Sequence, residues 1–241
     1  MCRCVTEEKG SNPAAFTRKV DAWIIREKMI VDEGIVAFIN SLETKNCDLL
    51  EKIEEEALEA FVPIISKESQ SLLKVILKIH KPMRILEVGT AVGFSSLLMS
   101  ENAPKGCKIT TIENYHKRIP VATTNFKRMG KENDITLIQG DAKEELKRLD
   151  GVYDFIFMDA AKGQYINYFP DILRLLKTGG ILLSDNVLFD GSIVLPREEI
   201  VKRNRTIYDR LREYLHLLKN HHELETSIIP IGDGMALSYR L

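Results

Sequence analysis

The sequence lacks a run of about 20 consecutive apolar residues, the length that a membrane-spanning helix requires. Its first residues, MCRCVTEEKG, also lack the apolar core of a secretory signal peptide. Both absences argue against a protein that crosses or leaves through a membrane. We therefore expect a cytoplasmic protein.

Cysteine is scarce, with four residues in the 241-residue sequence: Cys2, Cys4, Cys47 and Cys107. No Cys-x-x-Cys spacing occurs, and no histidine stands near the first two cysteines, so neither a disulfide framework nor a zinc site is indicated. We expect reduced thiols without a shared role.

Neither sign of charge dominates, because 34 Lys and Arg residues stand against 35 Asp and Glu residues, for a formal net charge of -1. This balance excludes a globally basic nucleic-acid coat and an acidic disordered tail, although a local basic face remains possible. Hydrophobic residues make up 44% of the sequence, enough for a buried core in a chain of this length.

Residues 1–28 mix Gly, Ser, Asn, Pro and charged residues without periodicity, and we predict an extension outside the core fold. Residues 29–241 are expected to form one domain, which begins with two amphipathic helices. Their predicted buried faces are Leu49, Leu50, Ile53, Ala57, Leu58 and Phe61, and then Leu72, Leu73, Ile76, Leu77 and Ile79. The predicted solvated face of the first helix is Glu51, Glu54, Glu55, Glu56 and Glu59.

Five short apolar runs follow, separated by longer amphipathic stretches: RILEV (84–88), KITTIE (108–113), ITLIQ (135–139), YDFIFMD (153–159) and GILLSD (180–185). Such alternation predicts a doubly wound α/β fold, with a mostly parallel sheet and helices on both faces. The last segments, LETSIIPI and MALSYR, are joined by a Gly-Asp-Gly turn at 232–234, which permits a hairpin but no crossover helix. We predict an antiparallel hairpin at the sheet edge.

Ligands of open α/β sheets bind beyond the carboxyl ends of the strands, so the residues that end each apolar run are informative. The first run leads into EVGTAVGFS (87–95), in which Gly89 and Gly93 allow a tight turn beside a ligand. Position 91 is not the glycine of a dinucleotide fingerprint, and Glu87 would repel a pyrophosphate. The segment therefore favours a cationic ligand.

Two more strand ends carry acids. Glu113 ends the second run, where a carboxylate can accept hydrogen bonds from two ribose hydroxyls, and Asp141 and Ala142 follow the third, where they can border an adenine. Asp141 has an equally good alternative, which is to cap the helix that follows it.

The segments EVGTAVGFSS, TIE, GDA, MDAAKGQY and SDNVLFDG, in this order and spacing, resemble the class I S-adenosylmethionine-dependent O-methyltransferases of the catechol and caffeoyl-CoA type. The resemblance runs from about Ile64 to residue 241 and is closest to the bacterial branch that methylates 5-hydroxyuridine at the tRNA wobble position. It implies a Rossmann-like seven-stranded sheet and, by analogy, a homodimer. The implied contacts of S-adenosyl-L-methionine are Ile64, Glu87, Gly89, Thr90, Gly93, Ser95, Glu113, Asp141, Ala142 and Asp159.

Three oxygen donors close the fourth and fifth apolar runs: Asp159, Asp185 and Asn186. Oxygen ligands of this kind suit Mg²⁺ or another divalent cation, whereas zinc or copper would call for His or Cys. The alternative is that these side chains only cap loops. Lys162 resembles the general base of the family, and its alternative is a solvated loop lysine.

A divalent cation grips two oxygens on adjacent carbons, which fits a catechol and equally 5-hydroxyuridine in a tRNA anticodon loop. We favour tRNA, because Arg197, Lys202, Arg203, Arg205, Arg210, Arg212 and Lys219 outnumber the acids of the same stretch. A small catechol or hydroxycinnamoyl acceptor is the alternative, and it would require an aromatic-walled pocket near Asp185. A noncatalytic cofactor-binding protein is a third reading, although it would need neither a metal nor a base.

Overall fold

A computed structural model describes residues 30–241. The predicted extension, residues 1–28, lies outside the described residues, and Cys2 and Cys4 lie there with it. Cys47 and Cys107 are both free thiols, as expected.

Seven strands form one sheet in the order β3-β2-β1-β4-β5-β7-β6. They are β1 (Arg84–Val88), β2 (Lys108–Glu113), β3 (Ile135–Gln139), β4 (Tyr153–Met158), β5 (Leu176–Ser184), β6 (Leu224–Ile229) and β7 (Met235–Arg240). The first five strands are parallel, and β7 is antiparallel to both β5 and β6. The predicted sheet and its C-terminal hairpin are thus confirmed. The strand order reverses between β1 and β4, where such sheets bind ligands.

The α-helices of the described chain are α1 (Glu33–Ser41), α2 (Asp48–Glu59), α3 (Lys67–His80), α4 (Phe94–Asn102), α5 (Ile119–Arg128), α6 (Ala142–Arg148), α7 (Tyr165–Leu175) and α8 (Arg205–Asn220). None of these helices combines the length and the apolar character that a membrane crossing needs. Helices α4 to α7 each follow a strand, as the alternation of apolar and amphipathic segments predicts.

Hydrophobic residues of the central strands alternate between two clusters, one on each face of the sheet. Leu86 and Ile156 belong to one cluster, Ile85 and Phe155 belong to the other, and all four are fully buried. Successive side chains of a strand point to opposite faces, so helices must cover both. Burial on both faces explains why these runs are apolar throughout rather than alternating.

The prediction of a fully solvated acidic face on α2 is wrong at Glu54, which is only 4% exposed. Its carboxylate accepts hydrogen bonds from Gln70 Nε2 at 2.8 Å and from Lys67 Nζ at 2.6 Å. Glu54 follows the buried Leu50 by four residues, so both lie on the same face of the helix. The acid therefore faces α3, where a lysine and an amide neutralise it.

Three apolar residues that were assigned to the buried faces are exposed instead. Ile79 is 76% exposed, because it follows the buried Leu77 by two residues, about 200° around α3. Leu58 is 56% exposed, and Phe61, beyond the end of α2, is 94% exposed. Apolar residues at neighbouring helix positions thus fall on both sides of these helices.

Candidate active site

A cavity of about 1110 Å³ opens at the carboxyl ends of the parallel strands. Single-ligand pockets usually measure about 300 to 1,000 Å³, so this cavity has room for a cofactor and a second substrate. The predicted site residues that line it are Ile64, Gly89, Glu113, Ala142, Asp159, Lys162, Asp185 and Asn186. The predicted cofactor contacts that are not part of the lining are Glu87, Thr90, Gly93, Ser95 and Asp141.

Two glycines shape the loop between β1 and α4. Gly89 has a φ of 101° and Gly93 a φ of 84°, both in the region that favours glycine. A Cβ at Gly89 would collide with the carbonyl oxygen of Asp159, and one at Gly93 would lie 2.5 Å from the ring of Phe126. The loop after β1 therefore packs directly against the end of β4 only because position 89 carries no side chain.

Glu87 is fully buried behind the cavity wall. Its carboxylate accepts hydrogen bonds from Ser95 Oγ at 2.5 Å, from Thr111 Oγ1 at 2.6 Å and from Ser96 Oγ. Burial raises the pKa of Glu87 to about 7, although the three hydroxyl donors act in the opposite direction. The residue ties the end of β1 to β2 and to the first turn of α4, and its predicted contact with the cofactor stays a prediction.

Glu113 lines the cavity and also fixes the loops around it. One carboxylate oxygen accepts a hydrogen bond from Ala91 N at 2.8 Å, and the other accepts from Asn114 N at 3.0 Å and Tyr115 N at 2.8 Å. The side chain thereby links the loop after β1 to the loop after β2. Carboxylate oxygens can accept more than one hydrogen bond, so the bonds to the backbone leave Glu113 able to accept the predicted bonds from ribose hydroxyls.

Asp141 and Thr90 also bond within the protein. Asp141 Oδ1 accepts a hydrogen bond from Lys143 N at 2.8 Å and caps α6, which is the alternative considered for it. The hydroxyl of Thr90 lies 2.5 Å from that of Thr111 in the buried interior. On this side of the cavity, Gly140 and Ala142 form the surface in their place.

Asp159, Asp185 and Asn186 come together at the other end of the cavity. Asn186 Nδ2 lies 3.3 Å from Asp159 Oδ1, and Asn186 N donates to Asp185 Oδ1 at 2.7 Å. Burial raises the pKa of Asp159, and burial together with the charge of Asp159 raises that of Asp185. The loop-capping alternative thus explains one oxygen of Asp185, which caps Asn186 N. The amide of Asn186 carries no charge, so its contacts do not neutralise the two carboxylates.

The donor set of this cluster suits a hard divalent cation. Nowhere in residues 30–241 do three His, Cys, Asp or Glu side chains converge on a common point, so a cation would need the amide oxygen of Asn186 beside the two carboxylates. Sites built from oxygen ligands alone suit Mg²⁺ and Ca²⁺, whereas zinc sites are built mainly from Cys and His. Two adjacent buried carboxylates also call for compensating positive charge, so the residues present fit such an ion.

Lys162 occupies the short 3₁₀ turn Lys162–Gln164, and its ammonium is held by a residue that the sequence analysis treated only as part of a turn. Lys162 Nζ lies 2.5 Å from Asp233 Oδ2 and 5.8 Å from the centre of the Phe189 ring. The other oxygen of Asp233 accepts from Asp190 N. The Gly-Asp-Gly signal located the turn, but nothing in it indicated a partner 71 residues away. Lys162 is therefore not a solvated loop lysine.

Most of the basic residues that favoured an RNA surface bond to the protein itself. Arg197 pairs with Asp209 at 2.9 Å. Backbone carbonyls accept hydrogen bonds from Arg205, Arg210, Arg212 and Lys219. Lys202 and Arg203 are exposed, and their side chains form no hydrogen bond or ion pair within residues 30–241. The free basic surface is therefore smaller than the sequence suggested.

The walls of the cavity near α1 and α3 are aliphatic rather than aromatic. Tyr168 is the one aromatic residue in the described lining. The aliphatic residues are Ile30, Val31, Val36, Ile39, Leu72 and Val75. The aromatic wall that the small-molecule alternative was expected to need is absent from the described lining. An aromatic acceptor would instead pack against branched aliphatic side chains.

The sequence matches one family model and is similar to several proteins of known name. The model of a family described as O-methyltransferase matches residues 40–241. A protein of Stellaria longipes named caffeoyl-CoA O-methyltransferase is 29% identical over 235 residues, which cover 94% of this chain and 96% of that protein. Caffeoyl-CoA O-methyltransferase 2 of Populus trichocarpa is 31% identical over 187 residues, or 73% of this chain and 74% of that protein.

Solved structures share the fold. The SAH-bound Podospora anserina methyltransferase PaMTH1 has a TM-score of 0.77 and 24% identity, and the match covers 98% of this chain and 100% of that one. The Bacillus cereus O-methyltransferase in complex with SAH has a TM-score of 0.76 and 21% identity, over 86% of this chain and 97% of that one.

Proposed function

The chain belongs to the O-methyltransferase family, the S-adenosylmethionine-dependent enzyme class predicted from its sequence, and on that premise we propose that it methylates one of two adjacent hydroxyls of a small catechol-type acceptor. The observation that carries this proposal is the cluster of Asp159, Asp185 and Asn186, which lies at one end of a cavity with room for two ligands.

The cofactor end of the cavity is formed by Gly89, Glu113 and Ala142, with Ile64 on the wall. S-adenosylmethionine bound there supplies a methyl group on a positively charged sulfur. Glu113 is placed to accept hydrogen bonds from ribose hydroxyls, while its existing bonds to backbone N–H groups keep its orientation fixed. Gly89 allows close approach of the backbone to the ligand because it has no side chain.

Asp159, Asp185 and Asn186 would hold the divalent cation through two carboxylates and an amide oxygen. Such a cation lowers the pKa of a chelated hydroxyl and fixes two neighbouring oxygens in place. Through the cation, the three side chains would orient the acceptor toward the cofactor, and correct alignment alone contributes substantially to the rate of a displacement reaction.

Lys162 enters the reaction as the neutral amine and accepts the proton that leaves the acceptor hydroxyl. Lys162 lines the cavity, and its turn begins three residues after Asp159. Asp233, at 2.5 Å, stabilises the ammonium that forms when the amine takes up the proton. The ring of Phe189 shields the other side of this group.

Charge in the cavity favours a small acceptor over a polyanion. Seven carboxylates line it against two cations, Arg118 and Lys162. The acids are Glu43, Glu68, Glu113, Asp159, Asp185, Asp190 and Asp233. The relatives named caffeoyl-CoA O-methyltransferases support a diol acceptor, which the sequence analysis carried as its alternative. Because CoA is itself a polyanion, the charge of the cavity favours the free diol over the CoA thioester. The exposed pair Lys202 and Arg203 is the observation that keeps 5-hydroxyuridine in tRNA as a second candidate.

A panel of acceptors tests the proposal. Purified protein with S-adenosylmethionine and Mg²⁺ is assayed on a catechol, on the matched phenol that lacks one hydroxyl, on a hydroxycinnamoyl-CoA diol and on tRNA bearing 5-hydroxyuridine. We expect methylation of the free or thioester diol and none of the phenol, because chelation requires both oxygens. Equal rates on diol and phenol would refute the chelating role, and methylation of tRNA alone would establish the second candidate.

A further inference from the structure

Tyr165 begins α7 and belongs to the DAAKGQY segment, yet neither the cofactor nor the proton transfer proposed above uses it. Its side chain is fully buried in the core that covers one face of the sheet. A buried phenol must find partners for its hydroxyl, and the partners of this one all lie at the ends of β4 and β5.

The Tyr165 hydroxyl lies 3.1 Å from the carbonyl oxygen of Asp185 and 3.3 Å from that of Met158, and it accepts a hydrogen bond from Ala160 N at 3.3 Å. Met158 and Ala160 are the two neighbours of Asp159 in the chain. One hydroxyl therefore contacts the backbone on both sides of one proposed ligand and the backbone of the other.

The sheet ladder holds the two strand ends up to the residues before these acids, where Met158 pairs with Ser184. The backbone of Asp159 is anchored to β1 through Val88 O at 3.0 Å, and that of Asp185 to β4 through Met158 O at 2.9 Å. These bonds end the sheet ladder, whereas Tyr165 reaches across both strand ends from the helix side.

We propose that Tyr165 is a positioning residue for the divalent-cation site, because its hydroxyl sets the distance between the main chains that carry Asp159 and Asp185. The inference rests on the proposed function, since it assumes that these acids hold a cation. Groups behind metal ligands commonly determine affinity in this way, and loss of such a group weakens metal binding or activity by about 10- to 100-fold.

Tyr214 provides a matched control. It is also fully buried, its ring centre lies 5.6 Å from that of Tyr165, and its hydroxyl lies 2.7 Å from Ser184 Oγ. Replacement by phenylalanine removes one buried hydrogen bond from Tyr214 and three contacts from Tyr165. The Tyr214 bond joins two side chains and touches the backbone of neither acid, although Ser184 directly precedes Asp185.

The test compares Tyr165→Phe with Tyr214→Phe in the full-length protein. Binding of Mn²⁺ is measured by electron paramagnetic resonance without acceptor, so that the result does not depend on turnover, and urea unfolding is measured for both variants. We expect Tyr165→Phe to bind Mn²⁺ about 10- to 100-fold more weakly than the wild type and Tyr214→Phe to bind it within about twofold, at comparable stability.

The outcomes separate this inference from the function on which it rests. Equal Mn²⁺ affinity of Tyr165→Phe and the wild type would overturn the positioning role while leaving the cation site in place. An equal loss of Mn²⁺ affinity in both tyrosine variants would also overturn the positioning role, because the loss would then not depend on contact with the backbone of the two acids. If the wild type binds no Mn²⁺, the cation site itself is refuted.

Discussion

The two halves of the sheet's carboxyl edge use the same residue types in opposite ways. On the side of β1, β2 and β3, Glu87, Glu113 and Asp141 all accept hydrogen bonds from hydroxyl or backbone donors of the protein. On the side of β4 and β5, the carboxylates of Asp159 and Asp185 accept hydrogen bonds from Asn186 alone among residues 30–241. The first group of acids builds the walls of a site, and the second lacks neutralising donors.

This difference shows why an acid at a strand end is ambiguous in a sequence. Position relative to the sheet is the same in both halves, but the donors that decide the role come from distant parts of the chain. Thr111, for example, stands 24 residues after the Glu87 that it contacts. Replacing acids in each half should therefore give different results.

The largest effect is expected at the β4 and β5 side. Asp185→Ala or Asp159→Ala should reduce methyl transfer below detection, because the cation would lose a carboxylate ligand, while S-adenosylmethionine affinity, measured by calorimetry, changes little for Asp185→Ala. Excess EDTA should have the same effect on the wild type, and Mg²⁺ should reverse it. Full activity in chelator, with no divalent ion detected, would show that no metal is needed.

Lys162→Ala should lower kcat by about 10² to 10⁴, the usual contribution of a general base, with little change in cofactor affinity. Steady-state kinetics on the best acceptor of the panel measure this. Asp233→Asn, which keeps Lys162 but removes the charge beside it, should cause a smaller loss. Normal turnover of Lys162→Ala would assign proton removal to the cation and solvent alone.

Glu87→Gln should change the pH dependence of stability. The folded protein holds the Glu87 proton up to a pKa of about 7, above the ordinary value of 4.5, so its contribution to the free energy of unfolding is complete below pH 4.5 and is lost as the pH rises to about 7. The shift corresponds to a loss on the order of 3 kcal/mol. Urea unfolding from pH 4.5 to 8 should show a shallower decline in the variant. Parallel curves for the two proteins would contradict a raised pKa, and a large loss of cofactor affinity would place Glu87 among the ligand contacts after all.

The smallest effect on a catechol is expected from the double variant Lys202→Ala and Arg203→Ala, which should retain activity within about twofold. If tRNA is an acceptor, removing two phosphate contacts should flatten the slope of log affinity against log salt by about 1.4 to 1.8. Filter binding at several salt concentrations measures that slope. Arg205 is left unchanged because it bonds the carbonyls of Glu198 and Ile200.

The strands and the edge hairpin could be predicted because their signals are local. RILEV, KITTIE and ITLIQ match β1, β2 and β3 residue for residue, and the Gly-Asp-Gly turn joins β6 to β7. The fifth strand begins earlier than predicted, at Leu176 rather than Gly180, since an irregularity in its pairing with β4 carries the strand past Gly179, whose φ is 79°. Periodicity could not indicate a glycine within an irregular strand.

The candidate site was predictable where strand ends determine position, as for Asp159, Asp185 and Asn186. It was not predictable where a role depends on a long-range contact. Asp233 beside Lys162 and Tyr165 behind the two acids are visible only once β7 and α7 are in place. The burial of Glu54 was not predicted for the same reason, because its hydrogen-bond partners come from α3.

The strand order also implies a sequence of events during folding. β6 precedes β7 in the chain, yet β7 lies between β5 and β6, so β6 cannot join the sheet before β7 does. The short turn favours docking of the two strands as a preformed hairpin, because that order closes a short loop before a long one. Since the turn of this hairpin carries Asp233, docking also delivers the partner of Lys162. Local opening of the same edge would separate that pair while the five parallel strands stay folded, and amide hydrogen exchange would register it as a unit of its own.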